Sequence, residues 1–291
     1  MLKLPDQFTV VITINLAQCM SFVFEIINCQ FAEDIIVSTQ DMTASGVRRF
    51  PIPPRAQAVW LFEVDQALKT HSAYAKAKAG DWQSALMLIS DVALAGIHAH
   101  RDKFGSDCIF VAPFAREASG DNAIPQVFAE VCAIVFGATA DQTIVQTTKV
   151  YHTGADAMER LALRPEFDGD VHLGKRYVLV DDVTSLGGTL AELSNYIQSK
   201  GGIVQGVFVL VNAGRSKLFS PDKQTLKILE ARYGHELIDI FGIAAHALTA
   251  NEARYLVGFR TADDIRSRLV KAKQEIDLRL RSKGIPGIFG D

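Results

Sequence analysis

The sequence predicts an α/β protein, a central parallel sheet flanked by helices, with additions at the N-terminal and C-terminal ends. Short, almost wholly apolar runs, CIFV at 108–111 and YVLV at 177–180, have the composition of strands buried on both faces. Stretches with helical spacing alternate with such runs. Strands joined by crossover helices make a parallel sheet, and those crossovers are right-handed.

Taken in order, residues 8–40 hold Val, Ile, Thr and Phe in short runs (FTVVITIN, MSFVFEII, DIIVSTQ), and residues 1–50 are read as a β-rich extension. Pro51, Pro53 and Pro54 punctuate the chain. Residues 51–105 are read as a helical subregion, with Trp60, Leu61, Val64 and Leu68 at helical spacing. The core follows over 106–245, with strands expected at 108–111, 143–150, 177–180, 203–211 and 237–241 and helices at 123–136, 188–199 and 222–233. Residues 246–291 form a helical tail whose long helix has legible ends. Thr261 and Asp264 make a capping box, Asp263 adds negative charge to the first turn, and Gly284 with Pro286 supplies the stop. Ile265, Leu269, Ala272, Ile276 and Leu280 trace one stripe, which must dock on the chain's own core or on a second copy.

Apolar residues make up 48% of the 291 and charged residues 22%, which excludes wholesale disorder. Lys plus Arg number 30 against 33 Asp plus Glu, so no global positive field draws nucleic acid or an anionic membrane. Cys19, Cys29, Cys108 and Cys132 form no CxxC pair and read as reduced and structural. Asn15, Glu25, Asn28, Glu33 and Asp34 interrupt the apolar N-terminal region before the ~18 apolar residues of a membrane span accumulate, so a cytoplasmic location is expected. The tail carries Arg266, Arg268, Lys271, Lys273, Arg279 and Arg281, but acidic residues interleave with them, and a solvated face is a simpler reading than nucleic-acid contact. His98 and His100, near a helix end, read as carbonyl caps rather than a metal pair.

The chemistry concentrates in 177–190, YVLVDDVTSLGGTL. A buried strand ends in Asp181 and Asp182, and a short loop then passes through Thr184, Ser185, Leu186, Gly187, Gly188 and Thr189 into a helix. Backbone amides at a helix start, glycines that let the backbone approach closely and hydroxyl donors together favour a dianionic phosphate. Carboxylates just upstream accept hydrogen bonds from ribose hydroxyls. A ligand that carries both groups is a ribose 5-phosphate.

This stretch resembles the phosphoribosyl pyrophosphate signature of type I phosphoribosyltransferases: four apolar residues, two acidic, two variable, then Thr-Thr-Gly-Gly/Ala-Thr. Asp181 and Asp182 match the ribose-binding acidic pair, Ser185 the first Thr, Gly187 and Gly188 the small pair, and Thr189 the last Thr. Leu186 departs from the pattern: it keeps the backbone amide and lacks the hydroxyl that commonly binds the 5-phosphate. A weaker resemblance runs from about 108 to 241, and 109–137 with Arg160 is similar to the competence protein ComF branch.

The resemblance implies a pyrophosphate loop after the first core strand and a mobile loop after the next. By position these bring Arg116, Ser119 and Gly120 to pyrophosphate, with Lys149, His152, Arg160 and Arg164 on the mobile loop. It also implies Mg²⁺, carried with phosphoribosyl pyrophosphate and met by Asp181 and Asp182. Displacement at the anomeric carbon would release pyrophosphate to a nitrogenous acceptor. Purine-salvage relatives often place an aspartate base where Ser185 stands, and serine is a poor base alone, so a guanine-type acceptor is disfavoured. The competing expectation is a non-catalytic sensor of the same fold, which binds a nucleotide or phosphoribosyl ligand and is linked to DNA processing. A homodimer is left open.

Overall fold

The computed structural model describes residues 46–114, 122–148, 154–214, 216–282 and 284–289. The strands expected within 8–40, together with Cys19 and Cys29, lie outside the described residues.

A five-stranded sheet organises the fold, and all its strands run parallel. In chain order they are β1 (Gln57–Phe62), β2 (Cys108–Val111), β3 (Thr139–Asp141), β6 (Arg176–Thr184) and β7 (Ile203–Asn212), arranged in space as β1-β7-β6-β2-β3. Two short strands, β4 (Val145–Gln146) and β5 (Phe167–Asp168), pair antiparallel beside it. The apolar runs that predicted buried strands are β2 and the first half of β6, which lie next to one another inside the sheet.

Helices cover both faces. On one lie α1 (Gln66–Lys69), α2 (Tyr74–Lys78), α3 (Trp82–Val92), α4 (Leu94–Ala99) and α5 (Ile124–Phe136). Asp81 caps α3 through the Ser84 amide, and α5 ends on Gly137 at φ 64°. The core on this side is aromatic: Phe104, Phe110, Phe128, Phe136 and Phe208 pack at centroid separations of 5.1–6.4 Å. Gly206 makes room for it, because a Cβ there would stand 2.3 Å from Phe104 Cε1. The other face holds α7 (Gly188–Ser199), which buries Leu190, Leu193 and Ile197 against Tyr177, Leu179, Val207 and Val209. The segment before β1 runs along α7, where Asn195 Oδ1 accepts the amides of Arg49 and Phe50 and Gln198 Nε2 donates to Pro51 O at 2.7 Å.

Three expected elements are corrected. Residues 57–62, read as part of a helical subregion, form edge strand β1, because QAVWLF is β-branched and aromatic and Val59 buries beside β7. The strand expected at 143–150 shrinks to the two-residue β4, outside the main sheet, whose edge is β3; between them the Asp141 carboxylate accepts the amides of Thr143 and Ile144 and turns the chain out of the sheet. The strand expected at 237–241 is a helix, α9 (Glu236–Phe241), which ends on Gly242 at φ 67°. Leu237 and Phe241 bury four positions apart, the helical spacing, and a short apolar run does not distinguish the two periods by itself.

The remaining elements are α6 (Ala157–Ala162), α8 (Lys223–Tyr233), α10 (Ala250–Val257) and α11 (Ala262–Ser282). The capping box at α11 forms as read, Thr261 N to Asp264 Oδ2 at 3.0 Å and Asp264 N to Thr261 Oγ1 at 3.1 Å. Its stripe docks on the chain's own core: Ile265 and Ala272 pack with α8–α10 residues, and Ile276 and Leu280 pack with Leu163. His100 caps as expected, Nδ1 to Gly96 O at 2.8 Å.

Candidate functional site

Side chains along a strand point alternately to its two faces, so neighbouring carboxylates at a strand end cannot share a side. On β6, Tyr177 and Leu179 face α7, while Val178 and Val180 face the aromatic core. Asp181 accordingly lines an open cleft on the α7 side. Asp182, 4% exposed, turns the other way, where Lys78 Nζ lies 2.5 Å from Oδ2 and Asn122 Nδ2 donates to it at 3.0 Å. The pair expected to hold ribose together is therefore divided: Asp181 faces the cleft, and Asp182 anchors the end of α2.

Electrostatics differ to match. Burial and the adjacent Asp182 charge hold the Asp181 carboxyl well above the usual carboxylate range. Burial pulls the Lys78 ammonium down, but the charge and hydrogen bond of Asp182, with Tyr74 and Asp181, together outweigh it, and the net displacement is upward.

Thr184, Ser185, Leu186, Gly187, Gly188 and Thr189 all line the cleft with Asp181. Gly187 is the N-cap of α7 at φ 79°, a left-handed conformation that suits glycine, and it contributes no capping side chain. The first amides of a helix have no acceptor within it, and they carry the positive end of its dipole. Here they open beside Ser185 and Thr189 at the carboxyl end of the sheet, the edge where α/β sheets bind ligands.

Below this loop lies a charge network with no local signature in the sequence. Arg48 is fully buried, with Nη2 2.6 Å from Glu252 Oε2 and Nη1 3.4 Å from Glu192 Oε1. Arg164 forks onto Glu192 at 2.6 and 2.9 Å and donates to the carbonyls of Phe241, Gly242 and Gly46. Expected on a mobile loop, Arg164 is instead a structural tie at the cleft wall. Arg160 also lines the cleft, half-buried, its Nε donating to Ala155 O at 3.1 Å, and burial together with Arg279 pulls its guanidinium below the ordinary arginine range. Arg116, Ser119, Gly120, Lys149 and His152 lie outside the described residues.

The tail supplies residues that the motif did not indicate. Asn251 Nδ2 donates to Ser185 O at 2.9 Å, and Thr249 Oγ1 donates to Leu186 O at 2.5 Å. Thr249 and Glu252 form the capping box of α10, legible as T-x-x-E, but nothing local says that it meets the 185–188 loop.

As for Mg²⁺, of the two expected ligands Asp181 alone offers a carboxylate to the cleft, since Asp182 is paired with Lys78. One carboxylate fits an ion that arrives bound to phosphate oxygens. Among the described residues no group of three His, Cys, Asp or Glu side chains could cage a metal. Nor is any helix among them long and apolar enough to cross a membrane.

The described residues form an α/β fold, a parallel five-stranded sheet with helices on both faces and a strand–loop–helix site at its carboxyl edge. The chain is similar to Protein TraN of Escherichia coli, 34% identical over 218 residues that cover 72% of this chain and 48% of TraN. It is 28% identical to the orotate phosphoribosyltransferase of Pyrococcus furiosus over 80 residues, 28% of this chain and 44% of that enzyme. These matches span about half the length of the curated relatives. Among solved structures, adenine phosphoribosyltransferase from Leishmania tarentolae is 15% identical with a TM-score of 0.30, covering 57% of this chain and 98% of that one. No family model matches the chain.

Proposed function

We propose that the chain is a phosphoribosyltransferase that takes phosphoribosyl pyrophosphate and a nitrogenous acceptor and releases pyrophosphate. The observation that supports this most is that Asp181 and the 185–189 loop line one cleft, a diol acceptor beside an anion cradle. In the reaction the bond from the anomeric carbon to the pyrophosphate oxygen breaks, and a bond from the acceptor nitrogen forms. The α7 amides with Ser185 and Thr189 hold the 5-phosphate, and Asp181 accepts from a ribose hydroxyl, so the protein acts by positioning and electrostatics. Asp181 would be the protein contact of an Mg²⁺ ion that arrives with the substrate, and the ion would supply positive charge to the leaving pyrophosphate.

A second reading, a non-catalytic sensor of nucleotides or phosphoribosyl ligands, is favoured by Leu186 in the phosphate loop and by the commitment of Asp182 to Lys78. Calorimetric titration with phosphoribosyl pyrophosphate and nucleoside monophosphates, run beside a pyrophosphate-release assay over a panel of bases and amines with Mg²⁺, separates the two. The enzyme binds phosphoribosyl pyrophosphate and releases pyrophosphate with at least one acceptor. Tight binding without release across the panel refutes the enzyme in favour of the sensor, and absence of binding refutes both.

A further inference from the structure

We propose that Thr249 and Asn251 of the C-terminal tail are positioning residues that aim the backbone amides of Leu186 and Gly187 into the cleft. This deepens the proposed function and rests on it, since it names what recognises the 5-phosphate. A trans peptide unit is planar, and its C=O and N–H point in opposite directions, so holding one carbonyl fixes the amide of the next residue. Asn251 Nδ2 holds Ser185 O at 2.9 Å and thereby sets the Leu186 N–H. Thr249 Oγ1 holds Leu186 O at 2.5 Å and thereby sets the Gly187 N–H. Both carbonyls are drawn onto the tail, and the amides are left for the ligand.

Neither donor is loose. Thr249 Oγ1 accepts the Glu252 amide at 3.1 Å, which commits its one proton to Leu186 O. Asn251 Oδ1 accepts the Ser216 amide at 3.1 Å, which fixes the side-chain amide with Nδ2 toward Ser185. Contact closes the remaining freedom: a Cβ on Gly187 would meet Thr249 Cγ2 at 3.4 Å, and one on Gly188 would meet Glu252 Oε1 at 2.9 Å. The chemical consequence follows from Leu186, which has no hydroxyl to offer. Amide direction then carries the recognition at that position, and an inward-turned carbonyl would present negative charge to a phosphate.

The test uses the full ¹⁵N-labelled chain titrated with ribose 5-phosphate, with ribose as the phosphate-free control, read by amide chemical shifts and calorimetry. In the wild type the Leu186 and Gly187 amides move saturably with ribose 5-phosphate and not with ribose. Asn251→Asp, which keeps the shape but sets an acceptor against Ser185 O, weakens ribose 5-phosphate binding about tenfold, the scale of one lost hydrogen bond, and abolishes those two shifts. Thr249→Val does the same, and Thr249→Ser restores the wild-type response. Thermal melts check folding, and Asn251→Ala replaces any Asn251 variant that does not fold. Wild-type affinity and shifts in a folded Asn251 variant overturn the inference and leave the proposed function standing. If the wild type binds neither ribose 5-phosphate nor phosphoribosyl pyrophosphate, the proposed function falls and the inference falls with it.

Discussion

Replacing Arg48 with methionine removes a single charge from beneath the phosphate loop and leaves the local backbone in place. The bridge from Arg48 to the chain near Ile243 uses main-chain atoms, Arg48 N to Gly242 O at 2.8 Å and Ala244 N to Arg48 O at 3.0 Å. Glu192 keeps the Arg164 fork at 2.6 and 2.9 Å. Glu252 keeps the Thr249 amide at 2.8 Å and no cation among the described residues, so it becomes a buried carboxylate without a counter-charge. Breaking a buried pair in this way costs about 3–5 kcal/mol. With one carboxylate stranded rather than two, and that one still amide-bonded, the expected loss is about 3 kcal/mol, the lower end of that range. For a domain of this size that lowers Tm by roughly 6–12 °C. Urea unfolding followed by far-UV circular dichroism, with calorimetry alongside, measures it. Glu252→Gln in the same chain neutralises the stranded group, so the double variant should lose less than the sum of the two singles. A loss below ~1 kcal/mol for Arg48→Met, the range of an exposed pair, or strict additivity in the double variant, would refute the reasoning.

Two further predictions concern the divided carboxylates and the thiols. Asp181→Asn should weaken phosphoribosyl ligand binding while raising Tm at pH 7. The sign follows from the raised folded-state value: the folded form of Asp181 holds its proton more tightly, so stability falls as pH rises from the unfolded value of about 3.9 through the folded one, and the variant removes that loss. Asp182→Asn should instead destabilise by about 1–3 kcal/mol, because it leaves Lys78 without its counter-charge. Equal effects of the two substitutions on binding and on Tm would contradict the division. Burial pushes the Cys108 thiol up to about 11 and the Cys132 thiol well above its usual value, so neither forms thiolate at pH 8. Iodoacetamide labelling followed by peptide mass spectrometry should leave both unmodified until urea is added, and native-state labelling at the rate of a free thiol would show the burial to be wrong.

Strand–loop–helix order was legible where local chemistry and burial agree. The β-branched apolar run Val178–Leu179–Val180 between polar ends has the composition of a strand buried on both faces, and the Thr261–Asp264 capping box fixes the start of α11 from four residues. Residues 57–62 and 237–241 depart from expectation for one reason: five or six residues supply too few periods to tell 2.0 from 3.6. The division of Asp181 from Asp182 was legible in principle, since strand alternation alone sends adjacent side chains to opposite faces. The motif groups the two carboxylates, and the pleat separates them.

The network under the loop was not legible at any level of local pattern. Arg48 meets Glu252 across 204 positions, and Asn251 meets Ser185 across 66. No periodicity or cap encodes such a meeting, because it is set by the order of strands in the sheet and by where the tail returns over it. That placement changes how Leu186 should be weighed. In the sequence it is a missing donor and an argument against phosphate recognition. In the structure its own carbonyl is one of the two that the tail holds, and the next amide is directed by that hold. The lost hydroxyl and the added tail therefore act on one peptide unit, and a division of the chain into core and appendage cuts through the site.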